Sequence, residues 1–193
     1  DRLNDIIGEL ESRIGTLKED SIKAKEFLEL RDRHKELEIN LTLNSIEELE
    51  LKNMMYSAKE AGHPYMIRYP RGTGEGVAWR EEPFTKIEEG RGVQLREGEK
   101  VAVLTIGTTA KAATEALNRA AKEGIRAAHY DLRFVKPLDE ELLREVATRY
   151  ERVITIEDGS LRSGVGEAVT TFLHEQGYRG EVMRLGIPDR WIR

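Results

Sequence analysis

The chain has 193 residues, 35% charged and 39% apolar, with a formal net charge of −5 and no cysteine. Such a length admits one or two domains with a core of ordinary size. The lack of cysteine excludes disulfides, thiolate metal sites and cysteine nucleophiles, and no apolar run approaches the roughly 20 residues of a membrane helix.

From the charged opening Asp1–Arg2 no signal peptide is expected. A reducing cytoplasm is the expected setting, with no membrane partner. The acidity is uneven. Residues 1–50 hold 14 acids against 8 bases, and the remainder is close to neutral. This balance argues against a nucleic-acid partner for the first segment. Within it Leu3, Ile7, Leu10, Ile14, Leu17, Ser21, Ala24 and Leu28 alternate at spacings of four and three, the seam of a coiled coil. After Leu28 the phase slips, and Leu30, Leu37 and Leu41 continue the stripe. Gly8 and Gly15 each weaken the helix by about 1 kcal/mol relative to alanine. An amphipathic helix of this length needs a cover. The expected partner is another helix, through coiled-coil association or a homodimer, or the helix packs on its own domain.

The character changes near Ile46–Leu51. Residues 51–60 (LKNMMYSAKE) read as a helix stopped by Gly62–His63–Pro64, and Tyr65–Tyr69 as a short strand. A glycine-rich turn, Pro70 to Gly76, follows. Residues 77–99 are polar and turn-rich and read as a linker with room for a short strand.

From Lys100 the grammar is regular. Val101, Val103 and Ile106 form an apolar run ending at Gly107, which predicts a buried strand. Thr108 or Thr109 is positioned to cap the next helix. That helix carries Ala113, Leu117 and Ala120–Ala121 at helical spacing, and Gly124 is its natural stop. Ile125–Tyr130 is a second apolar run. Strand, helix and strand over about 30 residues make a βαβ unit with parallel strands. Pro137–Glu141 opens another helix, buried through Leu142, Leu143 and Val146. Val153–Ile156 is a strand, Gly159–Gly166 a loop, and Val169, Phe172 and Leu173 mark a further helix ended by Gly177. Val182–Ile187 is the last strand. Alternating strands and helices predict an α/β sandwich with a mostly parallel sheet.

Six separated motifs, LKNMMYSA, IRYPRGTGEGV, LREGEKVAVLTIGT, HYDLRFVKPLDEELL, ITIEDGSLRSGVGEAV and LGIPDRWI, come in one order. Over about residues 48–193 they resemble the C-terminal part of the 1-deoxy-D-xylulose-5-phosphate synthases, of the transketolase superfamily. The beta subunits of 2-oxoacid dehydrogenases share the glycine loop to SGVG, but RYPRG and RFVKPLD favour the synthases. The resemblance implies a transketolase C-terminal-type α/β sandwich with a mostly parallel sheet, preceded by a long coiled-coil-like helix. It implies four regions: a coiled-coil segment over 1–47, the last helix and strand of a pyrimidine-type domain over 48–76, a linker over 77–99, and the C-terminal domain over 100–193.

The family reaction implied is a thiamine-dependent condensation of pyruvate with glyceraldehyde 3-phosphate, feeding isoprenoid, thiamine and pyridoxal biosynthesis. Its cofactors are thiamine diphosphate and magnesium. The Gly-Asp-Gly motif that holds them in the family is absent here, and its catalytic glutamate lies upstream of the matching region. The resemblance therefore implies a truncated, inactive module that binds neither cofactor nor small-molecule substrate alone. Residues 1–46, through LNDIIGELE and AKEFLELRDRHKELEINL, resemble the coiled-coil arm of the structural-maintenance-of-chromosomes proteins, without any Walker A loop. The whole then reads as a chimera, with a coiled-coil interaction protein as the alternative.

Arg71, in the family's YPRG motif, is the one site residue the resemblance implies, as a contact to the phosphate of the acceptor. A guanidinium offers two parallel donors to phosphate oxygens. Arg68 and Tyr69 are expected to support that turn. Asp131, Arg133 and Lys136 stand at the carboxyl end of a strand, where α/β sheets bind ligands, but an internal Asp–Arg pair and a capped helix are the expected use. Glu157 and Asp158 end the next strand; acid–base work is open to them, and helix capping or a subunit contact is favoured. Gly159, Gly164 and Gly166 precede a helix and in principle cradle a phosphate, though shaping the domain is the expected role. His34, His63, His129 and His174 lack ligand spacing, and Trp79 and Trp191 are expected to pack.

Overall fold

The computed structural model describes residues 22–31, 33, 50–69 and 83–190. The chain divides into two compact units, Asp1–Leu43 and Asn44–Arg193. In the first, residues 22–31 are helical and each is exposed. Ala24 and Leu28 of the heptad seam and Leu30 of the second stripe are among them; the other seam and stripe positions lie outside the described residues.

In the second unit the first described element is helix α1, residues 50–60. A sheet of five strands follows, β1 (Val93–Arg96), β2 (Val101–Thr105), β3 (Ala128–Asp131), β4 (Arg152–Ser160) and β5 (Glu181–Ile187). Three helices intervene, α2 (Thr109–Lys122), α3 (Glu140–Arg149) and α4 (Val165–Glu175). The sheet order is β1-β3-β2-β4-β5. The β3, β2, β4 and β5 strands are parallel, and β1 lies antiparallel to β3. The expected mostly parallel sandwich is present. One strand of it, β1, comes from the stretch read as a linker.

The side-chain alternation of β2 divides the core. Ala102 and Leu104 point to one face, with Leu143 and Val146 of α3 and Val169 and Leu173 of α4. Val103 points to the other, with Ala113 and Leu117 of α2. A central parallel strand is covered on both faces, which explains the apolar run VAVLT. Burying a leucine side chain contributes about 1.5–3 kcal/mol, and Leu104, Leu143 and Leu173 are wholly buried.

Helix boundaries follow local chemistry. Gly124, at φ +85°, ends α2 in the left-handed region that a side chain disfavours. At the other end neither threonine caps α2: Thr108 makes no capping bond. The Thr109 hydroxyl lies 3.0 Å from the Ile106 carbonyl and 3.1 Å from that of Ile156, tying the loop to the ends of β2 and β4. Its oxygen accepts the Ile106 N–H at 3.3 Å instead of a first-turn amide. The α3 cap is Asp139, whose Oδ1 accepts the Leu142 N–H at 3.0 Å. Its Oδ2 accepts the Gly92 N–H at 2.9 Å, so one carboxylate joins α3 to the approach of β1.

Residues 65–69 are not a strand. No strand among the described residues offers them a ladder, and side chains hold the segment instead. Tyr65 meets Phe134 edge-on at 6.3 Å, and Arg68 binds Asp158. The α1 helix is tied to residues 84–87: Asn53 accepts the Thr85 N–H and Ser57 the Ile87 N–H, while Tyr56 stacks on Phe84.

Asp139→Ala is expected to remove both the cap and the β1 tether, lowering unfolding free energy by about 1–3 kcal/mol in urea titrations. Asp139→Asn should retain much of it. Equal stability of Asp139→Ala and wild type would refute the tether.

Candidate functional site

Polar side chains converge where the parallel strands end, the edge at which α/β sheets bind ligands. Asp131 ends β3 and is 6% exposed. Its Oδ1 accepts the Arg133 N–H at 3.0 Å. This short bridge over two residues holds Arg133 at φ +55°, an unusual conformation for a non-glycine residue. The Arg133 guanidinium turns away from Asp131 and pairs with Glu50 of α1, its Nε 2.7 Å from Oε1. The expected Asp–Arg ion pair is therefore corrected: Asp131 takes the backbone of Arg133, and the side chain finds a carboxylate 83 positions distant. Lys136 is exposed and precedes a cis proline.

Burial pushes the Asp131 carboxyl up to about 6, with the nearby Glu50 carboxylate adding to it, while the bond from the Arg133 amide opposes. On the α2 face, His129 of β3 is 1% exposed. Its Nε2 lies 2.9 Å from the Thr105 hydroxyl and its Nδ1 3.2 Å from that of Thr114. Burial, then the Arg96 charge, lowers its pKa to about 4, so the ring is a neutral core histidine near pH 7.

Glu157 and Asp158, neighbours on β4, have different roles. Glu157 is buried beneath the start of α4 and accepts the amides of Val165 and Gly166, both at 2.9 Å. A carboxylate at a helix N-terminus is doubly favoured, by hydrogen bonds and by the helix dipole. The glycine loop is shaped to admit it. A Cβ on Gly164 would lie 2.4 Å from Glu157 Oε2, and one on Gly166 2.5 Å from the Thr155 hydroxyl. The loop holds the protein's own carboxylate where a phosphate cradle would hold a ligand, so the domain-shaping role expected of the glycines stands. Asp158 points outward and takes Arg68 in a two-pronged pair, at 2.7 and 2.9 Å.

Arg71 lies outside the described residues, as do His34, Trp79 and Trp191. Tyr69 is exposed. Arg68, three positions before Arg71, is anchored to the end of β4. His63 pairs with Glu89 at 3.0 Å, and His174 sits in the last turn of α4. The sequence reading missed Glu50; a lone glutamate on a helix carries no signal of a partner so far along the chain. Among the described residues no three histidine, aspartate or glutamate side chains converge as metal ligands, and no helix is long and apolar enough to cross a membrane.

Two outcomes are expected. Glu157→Ala strands two amides at the α4 terminus and should cost about 2–4 kcal/mol in urea unfolding; a loss below about 0.5 kcal/mol would contradict the capping role. Asp131 and His129 give opposite pH dependences. The raised Asp131 pKa favours folding below pH 3.8, and that contribution is lost as pH rises through about 6. The lowered His129 pKa gives stability that is present above pH 6.5 and lost as pH falls toward about 4. Asp131→Asn should therefore gain stability relative to wild type between about pH 4 and pH 6.5. Parallel pH profiles of unfolding free energy would refute that.

The transketolase C-terminal domain family model matches residues 90–193. The 1-deoxy-D-xylulose-5-phosphate synthase of Bacteroides fragilis is 48% identical over 157 residues, covering 79% of this chain and 24% of the relative. That of Aquifex aeolicus is 41% identical over 146 residues, covering 76% and 23%. A solved structure described as a split gene transketolase, inactive beta4 tetramer, superposes with a TM-score of 0.52 at 37% identity, covering 56% of this chain and 36% of that one. The chain thus spans about a quarter of the length of the curated relatives it matches. The fold, the matched span and these identities agree: the chain belongs to the transketolase C-terminal domain family, and most of it is similar to the C-terminal part of the 1-deoxy-D-xylulose-5-phosphate synthases.

Proposed function

We propose that residues 44–193 are the C-terminal module of a thiamine-dependent 1-deoxy-D-xylulose-5-phosphate synthase, a cytoplasmic transferase joining pyruvate to glyceraldehyde 3-phosphate. The observation that carries this is the 48% identity with the Bacteroides fragilis synthase over 157 residues. Thiamine diphosphate with magnesium is the electron sink of such a reaction. The described residues do not fit that cofactor. Glu157 already takes the amides at the start of α4, and no set of carboxylates or imidazoles converges on a cation among them. No chemical step is therefore assigned to this module alone. Its proposed part is acceptor binding through Arg71; the described residues before it, to Tyr69, are tied to the carboxyl edge of the sheet by Arg68–Asp158 and Glu50–Arg133. The description of the split-gene transketolase tetramer as inactive supports the view that a chain carrying this domain needs a catalytic partner.

A second reading, an interaction protein working through its coiled coil, is favoured by the exposure of Phe27 and Leu28 on the first unit's helix. Deleting residues 1–45 tests it: loss of association supports this role, and unchanged association rejects it.

The chain alone is expected to release no carbon dioxide from pyruvate with glyceraldehyde 3-phosphate. Coexpression with the N-terminal three-quarters (roughly, by the coverage of the match) of the Bacteroides fragilis synthase should restore turnover. In that assembly Arg71→Ala should raise the KM for glyceraldehyde 3-phosphate about ten- to a hundred-fold, the worth of a charged hydrogen bond. Turnover by the chain alone would overturn the module reading, and an unchanged KM would overturn the role of Arg71.

A further inference from the structure

The two edges of the sheet are finished differently. The β1 strand has four residues, and its pairing with β3 slips between Gln94 and Arg96. A short, irregular edge is one way a sheet avoids adding strands. The β5 strand has seven residues, none of them buried, and runs in unbroken register with β4 from Glu181 to Leu185. No other strand among the described residues lies beyond it. Val182 turns to the α4 face and packs on the core there. Met183, Leu185 and Ile187 turn to the opposite face and are 50%, 45% and 42% exposed.

The free edge has a defined hydrogen-bonding phase. The Ile187 carbonyl accepts the Leu161 N–H at 2.9 Å, on the side of β4. Backbone groups alternate along a strand, so Met183 and Leu185 also bond toward β4. The N–H and C=O groups of Val182, Arg184 and Gly186 therefore face outward, where a further strand can take them.

A second copy, turned about a two-fold axis normal to the sheet, presents the same strand antiparallel. Its side chains keep their faces, so the axis passes through a residue. With the axis at Val182 or Met183, Glu181 faces the partner's Met183 or the partner's Leu185, a charge against an apolar side chain. With the axis at Arg184, that arginine faces the partner's Arg184, and like charges directly opposite are unfavourable. With the axis at Gly186, Arg184 faces the partner's Pro188, which has no N–H. The axis at Leu185 avoids all three faults. Leu185 then faces the partner's Leu185 and Met183 the partner's Ile187, apolar against apolar. These are non-hydrogen-bonded pairs, with Cα atoms about 4.5 Å apart and side chains in close contact. Arg184 faces the partner's Gly186, and on each side of the axis this pair exchanges both backbone bonds. At the ends Glu181 comes beside the partner's Asp189, and each of these acids already has an arginine, Arg152 for Glu181 and Arg162 for Asp189.

We propose that β5 is a self-association edge: two copies of this chain pair through it antiparallel, with Leu185 on the two-fold axis, and their five-stranded sheets run on as one. The surface uses nothing of the synthase reading and none of the residues of the first unit.

The test is sedimentation equilibrium on the full chain. Wild type is expected to form a dimer. A residue on the axis meets itself, so Leu185→Glu and Leu185→Lys should each raise the dissociation constant about ten-fold or more. An equal mixture of the two variants should associate again, because Glu then faces Lys. The chain has no cysteine, so oxidation gives a second readout that needs no charge change. Leu185→Cys should yield a covalent dimer, since the expected Cα separation lies within the range a disulfide spans. Met183→Cys alone should not. A monomeric wild type would overturn the proposal, as would a dimer that Leu185→Glu leaves unchanged. So would the lack of a covalent dimer from Leu185→Cys, or the presence of one from Met183→Cys alone, which would place the axis elsewhere.

Discussion

The organisation of the carboxyl edge depends on one carboxylate. Glu157 leaves the end of β4 and accepts the first amides of α4. The loop passes close to the carboxylate, and this closeness excludes a Cβ at Gly164, while the Thr155 hydroxyl excludes one at Gly166. The same contact fixes where α4 lies against β4, and so where Val169 and Leu173 enter the core beside Val153. It also decides a question of function. A glycine loop before a helix is a ready anion site, and here the anion is part of the protein. Asp158, one position on, points outward and is free to hold Arg68.

The neighbouring strand end shows a comparable division. The backbone of Arg133 is committed to Asp131 and its side chain to Glu50. The two long-range pairs, Glu50–Arg133 and Arg68–Asp158, connect the segment before residue 70 to the sheet. Arg68–Asp158 is exposed, and such a pair contributes roughly 0–1 kcal/mol. It fixes position rather than stability. Glu50–Arg133 is less exposed, with side chains 18% and 22% accessible, and is the firmer of the two.

Much of this was legible from sequence because the signals are local. Gly124 ends α2 for a reason held within one residue, its positive φ. Asp139 reaches an amide three positions on, and the run VAVLT marks a strand covered on both faces. What was not legible depends on partners distant in the chain. The strand Val93–Arg96 has no apolar run to announce it and exists because β3 offers an edge. Residues 65–69 alternate like a strand but meet no ladder. Thr109 reads as a helix cap, but its oxygen accepts the Ile106 amide before the helix while its hydroxyl hydrogen is offered to the carbonyls of Ile106 and Ile156, the latter 47 positions away. Arg133 and Asp131 read as a pair until Glu50 is placed. The assignment of Arg71 came from the resemblance alone.

The proposal that most needs a test is that residues 44–193 are the C-terminal module of a thiamine-dependent synthase and do not hold the cofactor by themselves. A calorimetric titration of the purified chain with magnesium and thiamine diphosphate tests it most directly. The account predicts no saturable heat. Saturable binding in the micromolar range would mean that the chain builds a cofactor site from its own residues, and would contradict it.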